Sequence, residues 1–145
     1  MELYRLISRS SEETKKIASE FARGVKVGDI IILCGDLGSG KTTFSKGFCS
    51  HFSIDEDIVS SPSFTILNIY AGEVLIYHLD MYRIDSLDEI DYATFLEYLQ
   101  DEDAIKLIEW NKYRIDKDFS SFRVFVVEIS LIDDNQRQIR IVRVN

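Results

Sequence analysis

The sequence predicts an α/β fold with a mixed sheet, mostly parallel, to which antiparallel strands are added near the C-terminus. Strand and helix patterns alternate in the first half of the chain, and this alternation is typical of parallel strands joined by helices. Ile30–Cys34 is short, β-branched and apolar throughout, as expected for a strand buried on both faces. Phe122–Ile129 and Gln138–Val144 flank Asp133-Asp134-Asn135, which predicts a hairpin.

The helices are predicted from their start signals. Ser10-x-x-Glu13 is a capping box followed by apolar residues at helical spacing, so the first helix runs from Ser11 to about Arg23. A second helix runs from Lys41 to about His51, and Ser86-x-x-Glu89 opens a third that ends near Leu99. The remaining strand-like segments are Leu3–Ser8, Phe64–Tyr70, Val74–Leu79 and Ile105–Glu109.

Length and charge limit the possible functions. A chain of 145 residues fits a single domain, residues 1–145. Its net charge of −8 disfavours direct, tight binding to a nucleic-acid backbone. The N-terminus has no apolar stretch like that of a signal peptide, so we expect a cytoplasmic protein. Cys34 and Cys49 are expected to be small core residues rather than metal ligands.

A phosphate-binding loop is the most specific motif in the chain. Residues Gly35–Thr42, here called the phosphate loop, match G-x-x-x-x-G-K-[ST] in full, after a predicted strand and before a predicted helix. The match predicts a three-layer sandwich like that of P-loop NTPases, which binds ATP or GTP with Mg²⁺. The residues expected to bind the nucleotide are Leu37, Gly38, Ser39, Gly40, Lys41, Thr42 and Thr43.

Each part of this motif has a chemical task. Glycines allow the backbone N–H groups to approach phosphate oxygens, Lys41 neutralises the β- and γ-phosphates, and the Thr42 hydroxyl binds Mg²⁺. Two predicted strands end in the carboxylates Asp80 and Glu109, and both acids are candidates for the magnesium site. His78 is expected to pack beside Asp80 or to orient it.

Three functions are compatible with these residues: a partner-controlled ATPase, a nucleotide-sensing module without useful hydrolysis, and a small-metabolite kinase. No second positive charge is evident beside Lys41, so a partner or a closing segment is expected to complete an ATPase site. The acidic stretch Asp85–Asp103 contains no arginine and would make a poor kinase lid. Ser60–Thr65 is either a nucleotide-sensitive switch or a polar turn.

Four segments together resemble the TsaE family, a family of small bacterial ATPases of tRNA threonylcarbamoyladenosine (t6A) synthesis. The resemblance spans about Glu12 to Trp110. Ser39 departs from it, because alanine is usual at this position. The resembling segments are Gly35–Phe44, Ser61–Thr65, the H-x-D-x-Y-R segment His78–Arg83, and Ile108-Glu109-Trp110.

The resemblance implies a weak ATPase that acts with a TsaB–TsaD-like complex and meets tRNA only through these partners. It implies that Lys41 and Asp80 are the catalytic residues, with Asp80 positioning or activating the attacking water. Thr42 and Glu109 would bind Mg²⁺. It further implies that Ser61–Thr65 is a switch, that Trp110 lies beside the site, and that Ser11 lies near the base or sugar.

Overall fold

The computed structural model describes residues 1–36, 38–60, 67–81, 89–109 and 119–145, with side chains of the third helix described from residue 93. The predicted elements agree with the observed ones to within a few residues. Ser86, the expected cap of the third helix, lies outside the described residues. The elements are β1 (Glu2–Ser8), α1 (Ser11–Ala22), β2 (Ile30–Cys34), α2 (Lys41–Ser50), a 3₁₀ turn (Glu56–Ile58), β3 (Leu67–Ala71), β4 (Leu75–Asp80), α3 (Glu89–Leu99), β5 (Ala104–Glu109), β6 (Val124–Leu131) and β7 (Arg137–Arg143).

The strands form one seven-stranded sheet in the order β1-β7-β6-β2-β5-β4-β3. Its four central strands, β6, β2, β5 and β4, are mutually parallel. The outer strands pair antiparallel, β3 on β4 at one end and β7 and β1 beyond β6 at the other. This arrangement confirms the predicted mixed sheet, and it brings the carboxyl ends of β2, β4 and β5 to one edge.

Two apolar cores lie on opposite faces of the sheet and make the fold a three-layer sandwich. On one face, Phe21 of α1 and Phe44 and Phe48 of α2 pack on alternate strand residues such as Ile31 and Leu107. On the other face, Phe95 and Leu99 of α3 pack on the intervening residues, including Ile30 and Ile108. Because alternate strand residues face opposite sides, the apolar sequence of β2 is explained by burial on both.

The predicted capping box fixes the start of α1. Ser10 is the N-cap in extended conformation, and its hydroxyl accepts the Glu13 N–H at 3.0 Å. Glu13 in turn accepts the N–H of Arg9, one residue before the cap, at 2.6 Å. These contacts satisfy backbone donors that a helix start otherwise leaves without partners, and they hold the first turn of α1 in place.

The cysteines are free thiols in or near the core, as predicted. Burial raises the pKa of Cys49 to about 12, and burial together with the negative charge of Glu128 raises that of Cys34 to about 11. Both thiols are therefore protonated at neutral pH. Among the described residues, no helix has the length and apolar character that crossing a bilayer demands.

Candidate functional site

The phosphate loop leaves the carboxyl end of β2 and leads directly into α2. Gly40 is the N-cap of α2, with a left-handed φ of 112° that favours glycine. It offers no side chain to cap the helix, and the first turn contains no acidic residue. The first N–H groups of α2 and the positive end of its dipole are therefore suited to an anion.

Close packing inside the loop explains its first glycine. A Cβ at Gly35 would lie 2.5 Å from the Ser39 hydroxyl oxygen and 2.7 Å from the Ile129 carbonyl oxygen, distances that real side chains do not adopt. Across the loop, the Lys41 ammonium donates to the Gly35 carbonyl at 2.7 Å. Lys41 thus holds its positive charge over the loop, near the helix start.

Ser39 has an unusual environment. Its side chain is 1% exposed, and its hydroxyl oxygen finds no hydrogen-bond partner among the described residues. A buried hydroxyl without a partner is costly, so an atom of this kind in a loop is a feature that a ligand can satisfy.

The two predicted acids meet at the same edge of the sheet. Asp80 ends β4 and Glu109 ends β5, and the two residues are register partners in this parallel pair. Glu109 is in turn the register partner of Leu33 on β2, two residues before the loop. Asp80 and Ile76 are an even number of residues apart on β4, as are Glu109 and Ile105 on β5, so each acid points to the same face of the sheet as its isoleucine. Ile76 and Ile105 face α1 and α2. The carboxylates of both acids therefore lie on the side of the sheet that carries the phosphate loop, and they are 8% and 3% exposed.

His78 lies in the core, two residues before Asp80 on β4. It is fully buried, and its Nε2 atom is 3.5 Å from a carboxylate oxygen of Glu109. Its other ring nitrogen, Nδ1, is 2.9 Å from the Tyr70 hydroxyl. Sequence reasoning left His78 either packing beside Asp80 or orienting it, whereas the structure aims its ring at Glu109.

A cavity of about 230 Å³ lies between the phosphate loop, the start of α1 and the start of β7. Ser11, expected from the resemblance near the base or sugar, is part of its wall. Arg137 is the residue that sequence reasoning missed. Its Nε donates to the Ser39 carbonyl at 2.8 Å and so places a second positive charge at the loop. The cavity is lined by Ser10, Ser11, Thr14, Gly38, Gly40, Thr42, Thr43 and Arg137.

Most of the predicted site residues come together at this edge. Gly38, Ser39, Gly40, Lys41, Thr42 and Thr43 form the loop and the helix start, and Asp80 and Glu109 lie on the adjacent strand ends. Leu37, Ser61–Thr65, Tyr82, Arg83 and Trp110 lie outside the described residues. The sequence did contain a signal for Arg137. The predicted hairpin makes β7 antiparallel to β6, so β7 begins at the edge of the sheet where the parallel strands end.

The donor set suits magnesium bound jointly with a phosphate. A threonine hydroxyl and carboxylates are the oxygen ligands that Mg²⁺ prefers, usually together with substrate phosphates. Within the described ranges, no three acidic, histidine or cysteine side chains form a metal-binding cluster of their own. Thr42, Asp80 and Glu109 thus offer oxygen ligands of the kind that Mg²⁺ takes together with a nucleotide.

Comparison with known proteins decides the family. The model of "Threonylcarbamoyl adenosine biosynthesis protein TsaE" matches residues 8–140. The chain belongs to the TsaE family. A TsaE protein of Bacillus subtilis is 41% identical over 129 residues, 88% of this chain and 78% of that protein. One from Aquifex aeolicus is 34% identical over 146 residues, with 99% of both chains covered.

A solved structure supports the same assignment. The crystal structure of Bacillus subtilis YdiB superposes on the whole of this chain and on 88% of that chain, with a TM-score of 0.71 and 30% identity. The predicted resemblance to the TsaE family and the predicted α/β fold are both confirmed. The chain is thus a member of a family of t6A biosynthesis proteins.

Proposed function

We propose that this chain is the ATPase of a t6A-synthesising machinery, binding ATP with Mg²⁺ and hydrolysing it slowly to drive turnover of a TsaB–TsaD-like complex. One observation supports the chemistry most strongly. The glycine-containing phosphate loop, with Lys41 bonded across it, lies at the same edge of the sheet as the buried carboxylates of Asp80 and Glu109, which end neighbouring parallel strands. Family membership supports the pathway, and a cytoplasmic location is part of the proposal.

In this proposal, binding is mainly electrostatic. The N–H groups at the start of α2 and the Lys41 ammonium neutralise the phosphates, and Leu37–Thr43 surround them. Thr42 and Glu109 would hold Mg²⁺, which when bound neutralises charge on the terminal phosphates. The buried position of Glu109 strengthens any such interaction, since solvent screens it little.

The proposed chemical step depends on Asp80. Its carboxylate orients the attacking water and accepts a hydrogen bond from it, while Lys41 stabilises the charge on the transferred phosphoryl group. The loss of one positive group at the γ-phosphate costs about 10³–10⁵ in turnover in related chemistry. Arg137 is held on the Ser39 carbonyl, so we still expect partners to supply a positive group at the γ-phosphate, with a slow rate for the protein alone. The acidic chain leaves contact with tRNA to those partners.

The test separates binding from turnover. Phosphate release from ATP is measured for the protein alone and with a TsaB–TsaD-like complex, and ATP affinity is measured by calorimetry. Asp80→Asn should bind MgATP within about threefold of the parent and lose about 10²-fold in turnover. Asp134→Asn, an exposed acid in the β6–β7 turn, is the matched control and should change neither.

A second pair of variants tests the phosphate site itself. Lys41→Met should abolish measurable ATP binding, whereas Lys46→Met, on the same helix, should retain it. Equal affinity in both variants would exclude the proposed site. An Asp80→Asn protein that supports full t6A synthesis would favour the nucleotide-sensing module, and phosphate transfer to a metabolite instead of water would favour a kinase.

A further inference from the structure

A series of polar side chains, buried at Tyr70, His78 and Glu109, connects the backbone of Ser60 to the carboxylate of Glu109. Tyr70 on β3 contacts Ser60 through its hydroxyl, which lies 3.3 Å from the Ser60 nitrogen and 3.1 Å from its carbonyl oxygen. The same hydroxyl is 2.9 Å from His78 Nδ1, and His78 Nε2 is 3.5 Å from a Glu109 carboxylate oxygen. Asn68 on β3 and His78 on β4 are register partners, so these polar side chains cross from one strand to the next.

The position of each proton follows from the available acceptors. The Ser60 N–H donates to the Tyr70 oxygen, and the Ser60 carbonyl also accepts the Asn68 side-chain amide at 3.3 Å. Tyr70 has a single proton, and burial raises its pKa, so the hydroxyl is a donor at neutral pH. The Tyr70 hydroxyl can donate its proton either to the Ser60 carbonyl at 3.1 Å or to His78 Nδ1 at 2.9 Å. The tautomer of His78 decides between the two, because an unprotonated Nδ1 accepts from Tyr70, whereas a protonated Nδ1 donates to the hydroxyl oxygen.

The other end of the ring decides between the two tautomers. If Nδ1 carried the proton, the lone pair of Nε2 would face the negative carboxylate in a buried site, which is repulsive. With the proton on Nε2, an N–H points at the Glu109 oxygen. The present separation is about 0.5 Å longer than an ordinary N–H···O hydrogen bond, and Nε2 has no other partner among the described residues.

We propose that His78, oriented by Tyr70, is a positioning residue for the magnesium-binding carboxylate of Glu109. Its Nε2–H faces one carboxylate oxygen at 3.5 Å and so favours one orientation of the carboxylate, which leaves the second oxygen for the metal. This inference rests on the proposed function for the metal, but the proton arrangement on His78 does not depend on it. Partners of metal-binding groups typically contribute about 10- to 100-fold to metal affinity.

The first experiment needs no nucleotide. The chain contains only two histidines, His51 and His78, so ¹⁵N-detected NMR of the folded protein resolves each ring. His78 should be the Nε2–H tautomer with Nδ1 unprotonated, and His51, whose ring lies at the C-terminal end of α2, is the internal reference. In Tyr70→Phe the Nδ1 signal of His78 should shift strongly. An Nδ1–H tautomer in the parent protein would overturn the proposal.

The second experiment measures ATP affinity against magnesium concentration. Tyr70→Phe and His78→Leu should need about tenfold more Mg²⁺ for half-maximal enhancement while binding metal-free ATP as the parent does. His78→Gln, whose amide places a donor near the position of Nε2, should recover most of the loss. His51→Gln is the matched control.

The outcomes separate this inference from the proposed function. If the parent protein shows no magnesium-dependent ATP binding, the proposed function fails, although the tautomer result stands. If the parent shows it and all variants keep the parent's magnesium dependence, the positioning role is wrong. Should His78→Leu fail to fold, Tyr70→Phe still decides, since it removes only a hydroxyl.

Discussion

Arg137, at the start of β7, donates through Nε to the carbonyl of Ser39 at 2.8 Å, across 98 residues of sequence. This hydrogen bond brings the last strand of the chain onto the phosphate loop. It supplies a positive charge to a region where the sequence alone placed only Lys41. The side chain also lines the cavity that Ser11 and Thr43 border, so under the proposed function we expect it to contact the nucleotide.

Arg137→Ala should weaken ATP binding about tenfold or more, because charge-assisted hydrogen bonds contribute about 1.5–3 kcal/mol. Arg137→Lys should recover part of this loss, since it retains the charge but not the planar guanidinium. Calorimetric titration with ATP measures the effect. Arg143→Ala, an exposed arginine on the same strand, is the control, and equal affinities in the two alanine variants would contradict the prediction.

Ser39→Ala should leave the free energy of unfolding unchanged or raise it by about 1 kcal/mol. The substitution removes a buried hydroxyl oxygen that has no partner among the described residues, and such groups cost about 1–3 kcal/mol. Ser8→Ala is the contrasting control. The buried Ser8 hydroxyl bonds the Ser10 carbonyl at 2.8 Å and the Thr14 hydroxyl at 2.6 Å, so its loss should lower stability by about 1–2 kcal/mol.

Urea titration of both serine variants without nucleotide decides between these expectations. A loss of more than about 1 kcal/mol in Ser39→Ala would mean that its hydroxyl is bonded after all. The same variant then reports on ligands. If a nucleotide satisfies the hydroxyl, ATP should stabilise Ser39→Ala less than it stabilises the parent, as the shift in thermal midpoint would show.

Gly35→Ala should lower the free energy of unfolding by about 1–3 kcal/mol, because its Cβ would overlap the Ser39 hydroxyl and the Ile129 carbonyl. Gly24→Ala is the matched control, since its Cβ would meet nothing closer than 3.8 Å. Chemical denaturation measures both variants. Equal stability would show that the loop can move away at little cost, and ATP affinity should then be unchanged as well.

The thiol of Cys34 should react slowly with iodoacetamide at neutral pH. The reactive form is the thiolate, and the raised pKa of about 11 lowers its fraction in the folded protein. At pH 8 about one molecule in a thousand carries the Cys34 thiolate. Labelling followed by peptide mass analysis should show a rate about 10²-fold lower than in denaturant. The rate should rise about tenfold per pH unit from 8 to 10, and a plateau near pH 9 would contradict the raised pKa.

The sequence by itself determined the features that depend on residues close to one another along the chain. The phosphate loop is contiguous, its glycines set local backbone angles, and the Ser10 cap and the apolar β2 strand are local signals. These features predicted the α/β fold, the loop and the helix that follows it. Asp80 and Glu109 could be expected at one edge, because carboxyl ends of parallel strands share an edge.

Tertiary structure alone decided which side chains face one another. The register of β4 on β5 makes Asp80 and Glu109 partners, and the pairing of β3 with β4 puts Tyr70 behind His78. His78 faces Glu109 on the neighbouring strand at 3.5 Å, although Asp80 is nearer to it in sequence, and its other ring nitrogen contacts Tyr70. Contacts of this kind depend on strand order and register, which local sequence preferences do not encode.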